Sequence, residues 1–513
     1  MQSAASGKNI RTTLLIALSI VFLFVSPCQL KADDESVEAV KLQKDLAQML
    51  TNKAFQSGRV GIAIEPVKTD KPLFQYNEKK RFVSASNMKL FTSAAALLSL
   101  SPNFTYETKV MTDGIITSGV LKGNLIISAS GDPTISGYFN KNNPTQVFED
   151  WADALMKKGI IQIAGDIVVD NSYFNDSPFG IGWLREDMDR CYSASKDAFS
   201  FNNNCIALTV SPGEAAGKPA KIEVEPKTGY VTVLNTIKTS DFHTEASVKG
   251  TYINNSNTIA MSGTIPLNHE NIVRYVAAKN PAEFGAYVLK ETLLSKGIEF
   301  NGKIYCTRGG CTQAKDLETL STDKGRSSLN TLAVYRSPEL SEIIKVINKI
   351  SNNLYTELLF LTIAKSKQKE GNSGEAALAV QEILKNAGLD TEGFYMVDGS
   401  GLSRLNHITP QQTVQLLKIM AKSSFSDTFY NSLAIPDEEG TLKNWPKGTL
   451  ITGNVRAKTG TMTHVRNLSG YVTTKDGELL AFSFLCNDYN GPRAAIDGLY
   501  NRILLSLVDF SRK

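Results

Sequence analysis

The sequence predicts an α/β chain of several domains, in which one discontinuous domain is interrupted by inserted β-rich modules. Three observations carry this. A short strand and an alanine-rich helix come first; residues 100–329 then break into short β-like runs punctuated by Gly, Asn and Pro; and helical and hairpin patterns return afterwards. At 513 residues, 42% of them hydrophobic, the chain is long enough to build two or three packed cores.

Residues 1–32 stand apart as an expected signal peptide. Lys8 and Arg11 precede an apolar run at 14–25 that is short for a bilayer span, and cleavage after Ala32 fits. Cys28 offers a lipidation site, but Pro27 before it argues against that processing; a retained or lipidated leader would give at most weak membrane association. No other uninterrupted apolar stretch reaches transmembrane length.

The elements follow in order. Val60, Ile62 and Ile64 alternate with Gly61 and Ala63 as a short strand, and a turn region at 66–72 leads to Phe74 and Tyr76. From about Ser86, Met88, Phe91, Ala95 and Leu98 recur at helical spacing. Short strands are expected at 125–127, 161–169 and 206–210, and 221–265, rich in Thr, Val and Ser, reads as all-β. Ser337-Pro338-Glu339 is a helix start with a hydroxyl cap and proline in the first turn, ahead of Leu340, Ile343, Ile344 and Ile347 on one face. That helix runs out near Ser351, and another begins around Leu354. Runs at 468–474 and 479–486 flank Lys475-Asp476-Gly477 as a hairpin, and Ile496, Tyr500, Ile503, Leu504 and Leu507 mark a final amphipathic helix.

Composition removes several classes of function. Without Lys8, Arg11 and Lys31 the 55 basic residues become 52 against 51 acidic, so the mature chain is nearly neutral and gives no support to nucleic-acid binding. No cysteine pattern suggests zinc, and the four histidines (His243, His269, His407, His464) lack metal-ligand spacing. Cys191 with Cys205, and Cys306 with Cys311, are near enough to close small loops in an oxidising compartment, while Cys486 reads as a buried strand thiol.

Three strings far apart in the chain share one chemistry: Ser86-Asn87-Met88-Lys89, Ser351-Asn352-Asn353 and Lys458-Thr459-Gly460. Ser86 and Lys89 lie on one face of an opening helical turn, so an amine made neutral by burial can take the hydroxyl proton. Ser351 and Asn353 fall in a break between helices, where a hydroxyl can relay a proton and a carboxamide can orient Lys89 and a substrate amide. Lys458 opens a segment of small residues, with Thr459, Gly460 and Thr461 placed for a terminal carboxylate and for close backbone approach. The main-chain N–H groups of Ser86 and Thr461 suit an oxyanion hole. Each string alone has a plainer reading: a solvated surface pair, a helix cap, a common turn. Their order and context carry the combined one.

Together the strings match the S-x-x-K, S-D-N and K-T-G set of penicillin-binding proteins and β-lactamases, with Asn352 in place of the middle Asp. The chain resembles the low-molecular-mass class C penicillin-binding proteins, the D-alanyl-D-alanine carboxypeptidase/endopeptidase family of the penicillin-binding protein 4 type. Nearly the whole mature chain takes part. The similarity includes Gly131-Asp132-Pro133-Thr134, Gly165-Asp166 leading to Asp170, Ser200-Phe201-Asn202 and Ser262-Gly263-Thr264-Ile265-Pro266. It extends to Asp398-Gly399-Ser400-Gly401-Leu402-Ser403-Arg404, to Gly440-Thr441-Leu442, and to the 265 residues that separate Ser86 from Ser351.

The resemblance implies a β-lactamase/transpeptidase-like catalytic domain, an antiparallel sheet flanked by helices, over 33–98 and 326–513. An inserted domain II would cover 99–171 and 268–325, and a β-rich domain III 172–267. It implies that Ser86 forms the acyl-enzyme, Lys89 is the general base, Ser351 and Asn353 relay protons, and Lys458 with Thr459, Gly460 and Thr461 binds substrate. Asp170 and Arg404 become candidates for recognising the peptide stem, Asp132 and Asp398 for fixing turns, and Cys191–Cys205 for a structural disulfide. The implied activity is that of an exported, periplasmic or envelope enzyme without cofactor or metal. Its substrate would be peptidoglycan stems at D-Ala-D-Ala ends or D-Ala cross-links, and β-lactams would acylate it. A serine β-lactamase is the rival enzyme reading, against which the large insertions weigh; a non-catalytic envelope scaffold is the other.

Overall fold

The computed structural model describes residues 36–254, 256–309, 329–445 and 449–512. The expected signal peptide and the Cys311 half of the second cysteine pair lie outside the described residues. A five-stranded antiparallel sheet organises the chain ends, in the order Phe74–Tyr76, Arg59–Pro66, Leu479–Asn487, Val465–Thr473 and Val455–Met462. Successive strand residues face opposite sides, so this sheet feeds two cores. Ile62, Ile64, Phe482, Phe484 and Cys486 pack beneath the helices Val37–Met49 and Arg493–Asp509. Ala63, Ala481 and Leu485 face the other core, with the helices Met88–Leu100, Asn353–Ser366 and Pro410–Lys422.

The Met88–Leu100 helix is buried from Met88 through Leu97, including Lys89, Thr92 and Ser93. A helix enclosed on all sides needs small residues where neighbours press closest, and Ala94, Ala95 and Ala96 supply them. Enclosure also means that the polar groups it carries must find partners inside the protein.

Between the helices Met88–Leu100 and Leu340–Lys345 the chain builds further sheets. Segments 107–170 and 299–336 share a five-stranded sheet, in the order Ile304–Cys306, Ile167–Asp170, Leu125–Ser128, Glu107–Thr112 and Asn330–Arg336, and a four-stranded one. Segment 205–277 forms three smaller sheets. Strand Asn330–Arg336 pairs with Glu107–Thr112, and Ile272–Ala277 with Cys205–Ser211. These two strands lie past the expected boundaries at 326 and 267 and pair with strands before them. Among the described residues no helix is long and apolar enough to cross a membrane.

Three local expectations change. The run expected at 161–169 is two strands, Gln162–Ile163 and Ile167–Asp170, split where Ala164-Gly165-Asp166 turns. Two helices, Gln146–Lys157 and Pro281–Ser295, stand inside the interval read as β-rich. Ser337 does not cap a helix: its hydroxyl accepts the Tyr106 N–H at 2.8 Å and donates to the Pro338 carbonyl at 2.7 Å, and the helix begins at Leu340.

Candidate active site

Ser86 sits in a tight turn, Ala85–Asn87, between the strand Phe82–Val83 and the Met88–Leu100 helix. The turn is held from the sheet side by asparagines. Asn467 Nδ2 donates to the Val83 and Ser84 carbonyls at 3.0 and 2.8 Å, Asn487 Oδ1 accepts the Val83 N–H at 2.7 Å, and Asn87 Nδ2 donates to Ser469 Oγ at 2.6 Å. Ala85 takes a left-handed conformation with φ 42°, which an L residue holds only when its surroundings fix it. Gly401 supplies part of that constraint: a Cβ there would stand 1.8 Å from the Ala85 carbonyl oxygen.

Lys89 follows one turn on and is fully buried, whereas Ser86 is half-buried. Its Nζ lies 3.1 Å from Ser86 Oγ, 2.6 Å from Asn353 Oδ1 and 2.7 Å from the Ser400 carbonyl. A neutral amine has two N–H bonds and one lone pair. The two carbonyl oxygens can only accept, so they take both hydrogens, and the lone pair is left for the Ser86 hydroxyl. Burial brings the lysine down to about 7, while the Glu357 and Asp398 carboxylates pull the other way.

The middle string divides its labour. The helix Leu340–Lys345 runs into one π-helical turn, Val346–Ile350, and ends on Ser351 in a left-handed conformation, φ 66°. Asn352 caps the next helix, its Oδ1 accepting the Tyr355 N–H at 3.0 Å. Ser351 and Asn353 on either side are thereby released from capping. Ser351 Oγ accepts from Lys458 Nζ at 2.8 Å, and Asn353 turns its Nδ2 to the Tyr192 carbonyl at 2.6 Å, which fixes the amide orientation used above.

Lys458 lies in the middle of strand Val455–Met462 rather than at its start, fully buried, and its Nζ also donates to the Thr459 carbonyl at 2.8 Å. Burial first, then the positive charges of Lys89 and Arg466, hold its pKa well below the usual lysine range. Gly460 makes room for the protein itself: a Cβ there would meet Asn87 Oδ1 at 3.0 Å and the Ser84 carbonyl oxygen at 3.2 Å. Thr461 is exposed, with its hydroxyl held by Arg466 Nη1 at 2.7 Å.

The structure thus gathers Ser86, Lys89, Ser351, Asn353 and Lys458, with Thr459, Gly460 and Thr461 along one strand. Arg404 lies beside that strand's end, donating to the Thr463 carbonyl at 2.9 Å. Asp170, at the end of strand Ile167–Asp170, is buried, and its carboxylate closes a turn with the Ser172 hydroxyl at 2.6 Å. Asp132 likewise turns back to Thr134 at 2.8 Å, and Asp398 holds the Gly401 and Ser403 N–H groups. Cys191 and Cys205 form a disulfide. Sequence reasoning missed the two carbonyls of the site, from Ser400 and Tyr192, because a main-chain acceptor leaves no mark in residue type. It also missed Glu357, one helical turn beyond Asn353.

The model of the D-Ala-D-Ala carboxypeptidase 3 (S13) family matches residues 42–502. The chain belongs to this family. Among its relatives, a D-alanyl-D-alanine carboxypeptidase of Actinomadura sp. (strain R39) is 29% identical over 487 residues, 93% of this chain and 86% of that protein. The D-alanyl-D-alanine carboxypeptidase DacB of Haemophilus influenzae is 29% identical over 447 residues, covering 86% and 88%. The crystal structure of penicillin binding protein 4 from Haemophilus influenzae superposes with TM-score 0.75 at 26% identity, over 90% of this chain and 99% of that one. A second crystal structure of that protein, complexed with a β-lactam, gives TM-score 0.70. The expected mixed α/β fold and the serine-hydrolase class of this S13 chain are borne out.

Proposed function

We propose that the chain is an exported D-Ala-D-Ala carboxypeptidase that also opens D-Ala cross-links in peptidoglycan, working through an acyl-enzyme on Ser86. One observation carries the reading: Lys89 Nζ meets Ser86 Oγ, Asn353 Oδ1 and the Ser400 carbonyl at once, 2.6–3.1 Å away. Lys89 takes the Ser86 proton as Oγ bonds to the D-Ala carbonyl carbon, and the carbonyl π pair moves onto oxygen. The Ser86 and Thr461 N–H groups receive that oxyanion. Ser351, hydrogen-bonded to Lys458, relays to the departing amine the proton that Lys89 took, and the C–N bond breaks as the oxyanion collapses. Water then attacks the ester and gives its proton to Lys89, which returns it to Ser86 Oγ as the ester C–O bond breaks.

Lys458 binds the terminal carboxylate of the substrate, helped by Thr459 and Thr461. Buried beside two other cations it resists carrying charge, and an arriving carboxylate restores that charge, so a free carboxylate next to the scissile bond is preferred. Arg404 at the rim addresses the peptide stem. β-Lactams, whose strained amide imitates the D-Ala-D-Ala bond, acylate the same serine; the Haemophilus influenzae relative solved with a β-lactam supports this. Incubation with a peptide ending in D-Ala-D-Ala tests the proposal: release of free D-alanine is expected, and binding without release would favour a scaffold.

A further inference from the structure

Two carboxylates are buried beside Lys89, and they are satisfied unequally. Asp398 receives four donors: Gly401 N–H at 2.8 Å and Asn406 Nδ2 at 2.7 Å on Oδ1, Ser403 N–H at 2.7 Å and Trp183 Nε1 at 2.9 Å on Oδ2. It is a structural hub. Glu357 is fully buried, and its hydrogen bonds come from Ser400: the N–H donates to Oε1 at 2.8 Å and the hydroxyl also bears on the carboxylate, while Oε2 has no hydrogen-bond partner among the described residues. Burying a carboxylate with one oxygen left unpaired costs stability.

The position of Glu357 supplies a reason. It holds the N–H of Ser400, the residue whose own carbonyl accepts a hydrogen from Lys89 Nζ. Lys196, whose positive charge acts on it, is already paired with Asp176 at 2.5 Å. Lys89, from the helix opposite, is a positive group on which Glu357 acts ahead of Asp398. We propose that Glu357 is a positioning residue for Lys89: its carboxylate fixes the Ser400 peptide group and supplies the negative charge that steadies the ammonium formed when Ser86 gives up its proton. This rests on the reading of Lys89 as the base. Burial, together with the negative charge of Asp398, pushes Glu357 up to about 7.

Substitution can separate charge from hydrogen bonding. Glu357→Gln keeps an acceptor for Ser400 and removes the charge, whereas Glu357→Asp keeps the charge and withdraws it from Ser400. The measurement is the second-order rate of acylation by a fluorescent penicillin across pH 5–9, with a thermal melt of each variant. For Glu357→Gln the acid limb is expected to move down by about one pH unit, since a lysine without its counter-charge loses its proton sooner. Its plateau should fall several-fold, because a weaker base takes the proton less readily. For Glu357→Asp the limb should stay in place and the plateau fall about tenfold through loss of orientation. A Glu357→Gln limb superimposed on that of the wild type, or a Glu357→Asp plateau left intact, would overturn the inference. A wild-type protein that is not acylated at all would instead strike the reading on which it rests.

Discussion

Asn352 and Asn203 are joined side chain to side chain at 2.8 Å, across 149 residues of sequence. Asn203 belongs to the turn Asn202–Asn204, directly before Cys205, and Tyr192, whose carbonyl orients Asn353, directly follows Cys191. The Cys191–Cys205 disulfide therefore clamps together the two inserted segments that grip the Ser351-Asn352-Asn353 string. Closing so short a loop stabilises a fold by about 3 kcal/mol. The double substitution Cys191→Ser, Cys205→Ser should lower the melting temperature and also slow penicillin acylation. Lowered stability with acylation unchanged in the still-folded protein would reduce the clamp to a purely structural role.

Lys458 should be tested against substrates with and without a terminal carboxylate. Lys458→Ala removes both the cation and the hydrogen bond to Ser351, and kcat/KM for a D-Ala-D-Ala peptide should fall about 100-fold or more. A matched peptide amidated at its C-terminus, a poor substrate for the wild type, should lose less. Equal losses for both peptides would detach Lys458 from carboxylate recognition.

The pH dependence of acylation follows from Lys89. As a base it must be neutral, and burial holds it at about 7 rather than in the ordinary lysine range. Acylation should therefore rise with pH through an acid limb near neutrality, seen in kcat/KM, which reports the free enzyme. A limb near pH 10 would show that Lys89 stays charged and that another group takes the proton.

Gly401 makes a sharper structural prediction. It sits at φ 78°, and a methyl group there would drive into the Ala85 carbonyl oxygen. Gly401→Ala should cost more than about 1 kcal/mol of stability from the backbone alone and displace the turn that presents Ser86. Loss of both melting temperature and acylation is expected; a fully active variant would mean that the left-handed Ala85 is not held by this contact.

Much of this was legible in the sequence, for identifiable reasons. Alternation at 60–64 and the near-continuous apolar run at 479–486, which is buried on both faces, gave the central strands, and the three strings marked polar side chains that have to meet. Gln146–Lys157 escaped notice because its buried Val147, Phe148, Trp151 and Leu155 lie among glycine- and asparagine-rich turns that dominate any wider window. Asp170 also closes a turn onto Ser172, a role that an Asp two residues before a Ser makes legible. The Ser400 and Tyr192 carbonyls could not be seen, since any residue provides one. Glu357 was visible only as the one acidic position of the helix Asn353–Ser366, and its role depends on the Ser400 peptide folding against it.

The most direct test of the central claim is the intact mass of the protein after exposure to benzylpenicillin. The account predicts that one penicilloyl group is added to the wild type, mapped by peptide digestion to Ser86, and none to Ser86→Ala. An unmodified wild type, or the same adduct on Ser86→Ala, would contradict it.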